Sequence, residues 1–241
     1  MGKKGGRNRL KSIAAPRGWD IPRKGDRFVY KPTPGPYPIT ASYPLGVVIR
    51  DFATMATRSK EVKLILKSGR VLVDGVERHT PGFPVGLFNI VSVPAEGVNL
   101  RLVPSPKGFV LAKLGTDETN KKLCRVSTKT KVRDGHIQYG LHDGRSILAD
   151  SLGLNPGDAV LLEVPSQKVL GQAKLAKGSV GLILSGVRAG QTGKITEVKK
   201  GTISREKMVR ISLPDGDAEI PSRLVFPVGT DSPMITIGVA A

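Results

Sequence analysis

Residues 58–75 read RSKEVKLILKSGRVLVDG, with five cations (Arg58, Lys60, Lys63, Lys67, Arg70) and two carboxylates (Glu61, Asp74). Val62, Ile65 and Leu66 recur at helical spacing and mark one face of a short helix. At 100° per residue, Lys60, Lys63 and Lys67 fall within about 60° of one another, on the side away from those apolar residues. Gly69 is suited to stop the helix. Val71 and Val73 begin a strand, and Asp74-Gly75 is a strong two-residue hairpin signal. The stretch therefore predicts a helix that packs with one side, offers ammonium groups with the other, and runs into a β-hairpin.

Upstream, YPLGVVIRDFATMA (residues 43–56) carries Leu45, Val48, Ile49, Phe52 and Met55 at helical spacing, with Pro44 fitted to a first turn. Two helices and a hairpin thus form one module. Downstream, GLFNIVSV, NLRLV, FVLAKL, KLCRVSTKTKV and DAVLLEV read as short strands of a small β domain, separated by turn signals. Beyond GQAKLAKGS, the segments VGLIL, GKITEVKKG, MVRISL, AEIPSRLVFPVG and MITIGV give a five-strand pattern sized for a small barrel. The expected class is α+β, mainly β, in four parts: a basic arm (1–42), the two-helix and hairpin module (43–106), a central β domain (107–172) and the barrel (173–241).

Charge gives the first indication of function. The 241 residues hold 38 Lys and Arg against 20 Asp and Glu, a net +18 with a pI near 10.2. Such an excess attracts polyanions, most commonly nucleic acid, with an anionic membrane surface as the alternative. It is uneven: residues 1–38 hold ten cations and two carboxylates, with six prolines and scattered apolar residues. That segment cannot by itself bury enough surface to offset its ordering entropy, so it predicts an extended arm that becomes fixed on a partner. Its tryptophan, Trp19, favours docking over a plain solvated tail.

Other chemistries find little support. No apolar run is long enough to span a bilayer, and the N-terminal MGKKGGRNRLKS lacks the apolar core of a secretory signal. A single cysteine, Cys124, permits neither an internal disulfide nor a thiolate metal cage, and implies a reducing, intracellular setting. Within KLCRV it reads as a buried strand residue, with a thiolate activated by Lys122 and Arg125 as the rival. His79, His136 and His142 form no HExxH pattern. His142-Asp143 are adjacent, and adjacent strand residues face opposite ways. The glycine-rich SGVRAGQTGKI (185–195) is no phosphate-binding P-loop, because Gly190 is too close to Gly193-Lys194 and Ile195 replaces the Ser/Thr that would hold magnesium.

Three resemblances sharpen the reading. SKEVKLILKSGRVLVDG is similar to the latter half of the S-four RNA-binding domain, found in bacterial ribosomal protein S-four and several RNA-modifying enzymes. Lys63, Gly69, Val71, Val73 and Gly75 match that family's pattern. Its Ser-Arg pair stands here as Arg58-Ser59, and its hairpin Asn as Asp74, a carboxylate expected to repel phosphate. SGVRAGQTGKI resembles a KOW motif, a turn in an SH3-like barrel, where Arg188 and Lys194 would supply charge. RLKSIAAPRGW, PLGVVIRD, FPVGLFNIVSV, KLCRV, LHDGRSI and SRLVFPVG, in that order, resemble the archaeal and eukaryotic small-subunit ribosomal protein S-four-e family. The ending soon after ITIGVAA, without a longer basic tail, suggests the archaeal type.

That resemblance implies a cytoplasmic, non-enzymatic constituent of the small (30S-type) subunit. Its partners would be 16S-type rRNA and neighbouring ribosomal proteins, with no cofactor, metal, membrane or small-molecule substrate. The RNA-binding candidates are Lys3, Lys4, Arg7, Arg9, Lys11, Arg17, Arg23 and Lys24 in the arm. The two-helix module adds Arg50, Arg58, Lys60, Lys63, Lys67 and Arg70, and the barrel adds Arg188 and Lys194. The alternatives are an RNA-modifying enzyme that captures substrate through the S-four domain, and a KOW-containing transcription elongation factor.

Overall fold

Short apolar runs broken by glycine and proline favour strands joined by tight turns over long helices, and the chain is mostly β with few helices. The structure, a computed structural model, describes residues 9–150, 152–202 and 205–238. Near the N-terminus β1 (Leu10–Lys11) pairs antiparallel with β2 (Phe28–Val29). The segment expected to be a pliant arm is, over its described residues, folded onto the body. Ala15, Trp19, Val29 and Tyr37 are buried. Trp19 stacks on Tyr43 at 5.5 Å, and the Tyr43 hydroxyl donates to the Gly18 carbonyl (2.8 Å). The apolar residues are too sparse to form a core alone, but they complete one supplied by the next module.

After β3 (Ser42–Pro44), a single α-turn, α1 (Leu45–Val47), widens into a π-helical turn at Val48–Phe52. The expected first helix is therefore shorter than its apolar spacing suggests: Thr54 takes φ +51, which ends it before Met55. Helix α2 (Ser59–Lys67) follows, with Val62 and Leu66 fully buried and worth about 1.5–3 kcal/mol each. Strands β4 (Leu72–Val73) and β5 (Val76–Glu77) flank Asp74 (φ +51) and Gly75 (φ +75), the pair of left-handed residues a type I′ turn needs. β6 (Pro84–Gly86) pairs with β3, and β7 (Ile90–Val93), β8 (Val98–Ser105) and β9 (Gly108–Lys113) complete a five-stranded sheet in the order β5-β4-β7-β8-β9. The β8–β9 hairpin crosses the boundary expected at residue 106, because β9 pairs with β8 along its whole length.

The central sheet is built on β10 (Lys121–Lys131). Its first half pairs with β13 (Ala159–Glu163) and its second half with β11 (Ile137–Leu141). β12 (Ser146–Ala149) and β14 (Val169–Ala173) form the two edges. The last sheet runs β18-β17-β16-β15-β19, from β15 (Val180–Ile183), β16 (Thr192–Lys199), β17 (Met208–Leu213), β18 (Gly216–Pro221) and β19 (Val225–Gly229). AEIPSRLVFPVG, expected as one strand, is split by a 3-10 turn at Ser222–Leu224, so it supplies two. The described residues of MITIGV form no strand; Ile235 instead buries itself in the core that Phe88, Leu123, Ala159, Leu182 and Phe226 form between the sheets.

Candidate nucleic-acid interface

Helix α2 separates its two faces as its periodicity requires. Lys60, Lys63, Lys67 and Arg58 are exposed, and Arg70 lies exposed just past its end. No ion pair involves any of these five among the described residues. Glu61, the one acid on the helix, is turned back to the N-terminus, where it accepts from the backbone N–H of Thr57 (2.9 Å) and Arg58 (3.1 Å). Those bonds hold its carboxyl below the usual range. The helix therefore presents cations while its carboxylate caps its own end.

Asp74 does not oppose that surface as its place in the hairpin suggested. It is buried (3% exposed) and points inward, accepting from Lys122 Nζ (2.8 Å), Arg145 (3.0 Å), Asn89 (2.8 Å) and the Ile90 N–H (3.0 Å). Asp143 also meets Lys122, at 2.9 Å. Lys122 is fully buried between the two carboxylates, with the Tyr37 hydroxyl at 3.3 Å. Burial opposes its charge, but the groups around it, Tyr37 and Asp74 foremost, outweigh burial and hold its pKa well above the ordinary value. Burial would likewise raise Asp143, but Lys122, His142 and Arg145 outweigh it and hold the carboxyl at about 2. The cluster joins residues from the N-terminal segment, the hairpin and the central sheet.

The cations of the N-terminal segment divide. Lys11, Arg17 and Lys24 are exposed, and exposed Arg9 lies 5.7 Å over the Phe28 ring. Arg23 is half-buried, and its guanidinium donates to the carbonyls of Ser12 (3.0 Å), Ala15 (2.8 Å), Pro16 (2.7 Å) and Trp19 (3.3 Å). It organises the chain that turns around it. Arg50 is paired with Asp51 (2.7 Å) and lies near Asp26 (3.7 Å), so part of its charge is met within the protein. Lys3, Lys4 and Arg7 lie outside the described residues. In the last sheet Lys194 is exposed on β16 and Arg188 half-exposed in the preceding turn, next to Val187, which is 92% exposed.

Sequence reasoning passed over a further basic ribbon. The second half of β10 is exposed from Ser127 to Lys131, and carries Lys129 and Lys131, with exposed Arg133 just beyond. The signal was present as STKTKVR, a strand ending with three cations and no acid.

The groups weighed for catalysis have structural surroundings. Cys124 is fully buried, and burial pushes its thiol up, away from the thiolate. His142 is pushed down to about 4 by burial, with Lys122 next, and its Nδ1 accepts from the Arg125 N–H (3.1 Å). Among the described residues no cluster of three His, Cys, Asp or Glu could hold a metal, and no helix is long and apolar enough to cross a membrane.

The chain matches the ribosomal family S4e over residues 96–169 and the RS4NT (NUC023) domain over residues 4–40. It is 35% identical to the small ribosomal subunit protein eS4 of Methanococcus vannielii, an alignment covering 98% of this chain and 100% of the relative. Identity to the eS4 of Methanocella arvoryzae is 38%, over 95% of this chain and 97% of that one. Korarchaeum cryptofilum eS4 is 40% identical over 84% and 86% respectively. Among solved structures, the 30S ribosomal protein S4e of Thermoplasma acidophilum superposes with a TM-score of 0.69 at 27% identity, covering 79% of this chain and 96% of that one.

Proposed function

Because this chain belongs to the ribosomal S4e family, we propose that it is a structural constituent of the small ribosomal subunit, of archaeal type, which binds and stabilises 16S-type rRNA. The observation that carries this is the end-to-end correspondence with eS4 relatives. The α2 face supports it: its lysines and flanking arginines are exposed and form no ion pair among the described residues, whereas Asp74, Asp143 and Glu61 are turned inward or onto the helix end. A-form RNA offers phosphates, 2′-hydroxyls and irregular loops to such a surface, and lysines track phosphate more than base edges. On this reading the contacts come from Lys3, Lys4, Arg7, Arg9, Lys11, Arg17, Arg23 and Lys24, from Arg50, Arg58, Lys60, Lys63, Lys67 and Arg70, and from Arg188 and Lys194, with Arg23 and Arg50 also holding the fold around them.

The helix and hairpin at residues 58–75 act as an S-four-type RNA-binding element, and the last sheet as an SH3-like barrel whose KOW turn spans residues 185–195. Gly190 (φ +87) suits that turn, since a Cβ there would press on the Pro104 carbonyl at 2.7 Å. The chain works without catalysis, cofactor or small-molecule substrate, in the cytoplasm, against rRNA and neighbouring ribosomal proteins. The buried, partnered state of Lys122, Asp143 and Cys124 favours this over an RNA-modifying enzyme. Sedimentation of the tagged chain through a sucrose gradient tests the proposal. It should travel with small subunits, and its recovery with RNA polymerase or only in the soluble fraction would refute it.

A further inference from the structure

A cavity of about 650 Å³ opens where four parts of the chain meet: the N-terminal segment, the turn between β8 and β9, the central sheet and the loop after β15. Arg17, Lys107 and Arg125 line it, and no carboxylate does among the described residues. Two other clefts differ in this respect, since one contains Asp26 and Asp51 and another Asp74 and Asp143. Its remaining walls are largely apolar and aromatic, from Trp19, Tyr37 and Phe109 among others.

Among the described residues, two buried polar atoms of the lining, the Trp19 indole nitrogen and His142 Nε2, have no hydrogen-bond partner. Trp19 is 3% exposed, yet its indole N–H has no acceptor among the described residues. A buried donor left unpaired is costly, and native structures seldom tolerate one without a ligand or water. Arg125 is half-buried, lies 5.9 Å over the Phe226 ring, and donates to the Arg223 carbonyl at 2.8 Å. No acid pairs with it among the described residues, and burial alone acts on its pKa, lowering it. A partly desolvated guanidinium without a counter-ion calls for an anion. His142 beside it is neutral and does not compete for that anion.

We propose that this cavity receives one unstacked nucleotide of RNA, its base against the apolar walls and its phosphate on Arg125, Arg17 and Lys107. The inference rests on the rRNA-binding reading above and deepens it. The size suits a single nucleotide, and the pairing of aromatic walls with a cationic, acid-free lining is how single-stranded RNA is held. Neither Lys107 nor Arg125 stands among the contacts proposed for the rest of the molecule.

Trp19 is the only tryptophan and reports on the cavity directly. The full chain is titrated with small-subunit rRNA, with a fully paired RNA duplex and with free adenosine monophosphate, following binding and Trp19 emission separately. The rRNA should change the emission, and the duplex should bind without doing so. Arg125→Met should abolish the change and weaken rRNA binding about tenfold, the scale of losing one stacked nucleotide. Should that variant not fold, Arg17→Gln/Lys107→Gln, on two exposed side chains, should give the same loss. Emission that stays constant at saturating rRNA, or that changes equally in the variants, overturns the cavity proposal while leaving rRNA binding intact. No rRNA binding at all would sink the functional reading itself. An equal response to the free nucleotide would overturn RNA as the source of the ligand.

Discussion

Lys122 shows how a basic chain uses a cation inside itself. Flanked by Asp74 and Asp143 and fully buried, it contributes more to specifying which segments meet than to net stability, because desolvating three charges offsets much of their attraction. Removing one partner is another matter. Lys122→Met should destabilise the protein by about 3–5 kcal/mol in urea denaturation, since two carboxylates would remain buried with only Arg145 to oppose them. Titration should reveal two neighbours. His142, held down to about 4 from an ordinary 6.5, stays neutral when folded, so the unfolded chain binds a proton that the folded chain does not. Stability should therefore fall as pH drops from about 6.5 towards 4, with a limiting slope near 1.4 kcal/mol per pH unit. Asp143, held at about 2 against an ordinary 3.8, extends the loss below pH 4. Denaturation midpoints across pH should show both limbs, and His142→Gln should flatten only the first.

Helix α2 divides its labour by face, and its two faces can be tested independently. Val62 and Leu66 hold it to the body, while Lys60, Lys63 and Lys67 are exposed and form no ion pair among the described residues. Changing the three lysines to Gln should leave the melting temperature nearly unchanged. It should also flatten the salt dependence of rRNA binding by about two to three, at nearly 0.9 per phosphate contact. An unchanged slope would remove α2 from the interface. The hairpin beside it is tied to the central sheet at its tip: a Cβ on Gly75 would come within 2.9 Å of Pro165, and its φ of +75 disfavours any side chain. Gly75→Ala should therefore cost about 1–3 kcal/mol in a chemical melt.

The whole molecule is joined by contacts distant in sequence. Arg101, fully buried, reaches Glu118 (2.6 Å), the Lys121 carbonyl (2.8 Å) and the Thr236 carbonyl (3.1 Å), pinning the C-terminal segment to the first sheet. The N-terminal segment is pinned as closely: Gly108 (φ +133) sits against the Gly18 carbonyl, where a Cβ would collide. Sequence composition predicts rapid protease cutting before about residue 40, whereas the packing of Trp19, Val29 and Tyr37 predicts protection. Limited trypsin digestion of the isolated protein should leave Arg23 uncut, and Gly108→Ala should release the segment and speed cutting there. Cutting at Arg23 in the unaltered protein, as fast as in a denatured control, would refute the docking.

The periodicity of residues 58–75 alone determined the helix, the face its lysines occupy and the hairpin turn, because spacing and left-handed turn residues act over a few positions. The alternation of later segments likewise identified most strands, and the ordered motifs identified the family. Tertiary structure decided which charges remain available. Asp74, Arg23, Arg50 and Lys122 look alike in sequence to the exposed ions around them, and only packing turned the first inward and gave the others partners. It also decided that the proline-rich beginning folds back and that Ile235 leaves the sheet for the core, since sparse apolar residues find a core only where distant segments supply one. Local preference is written along the chain, whereas desolvation depends on neighbours that the fold alone brings together.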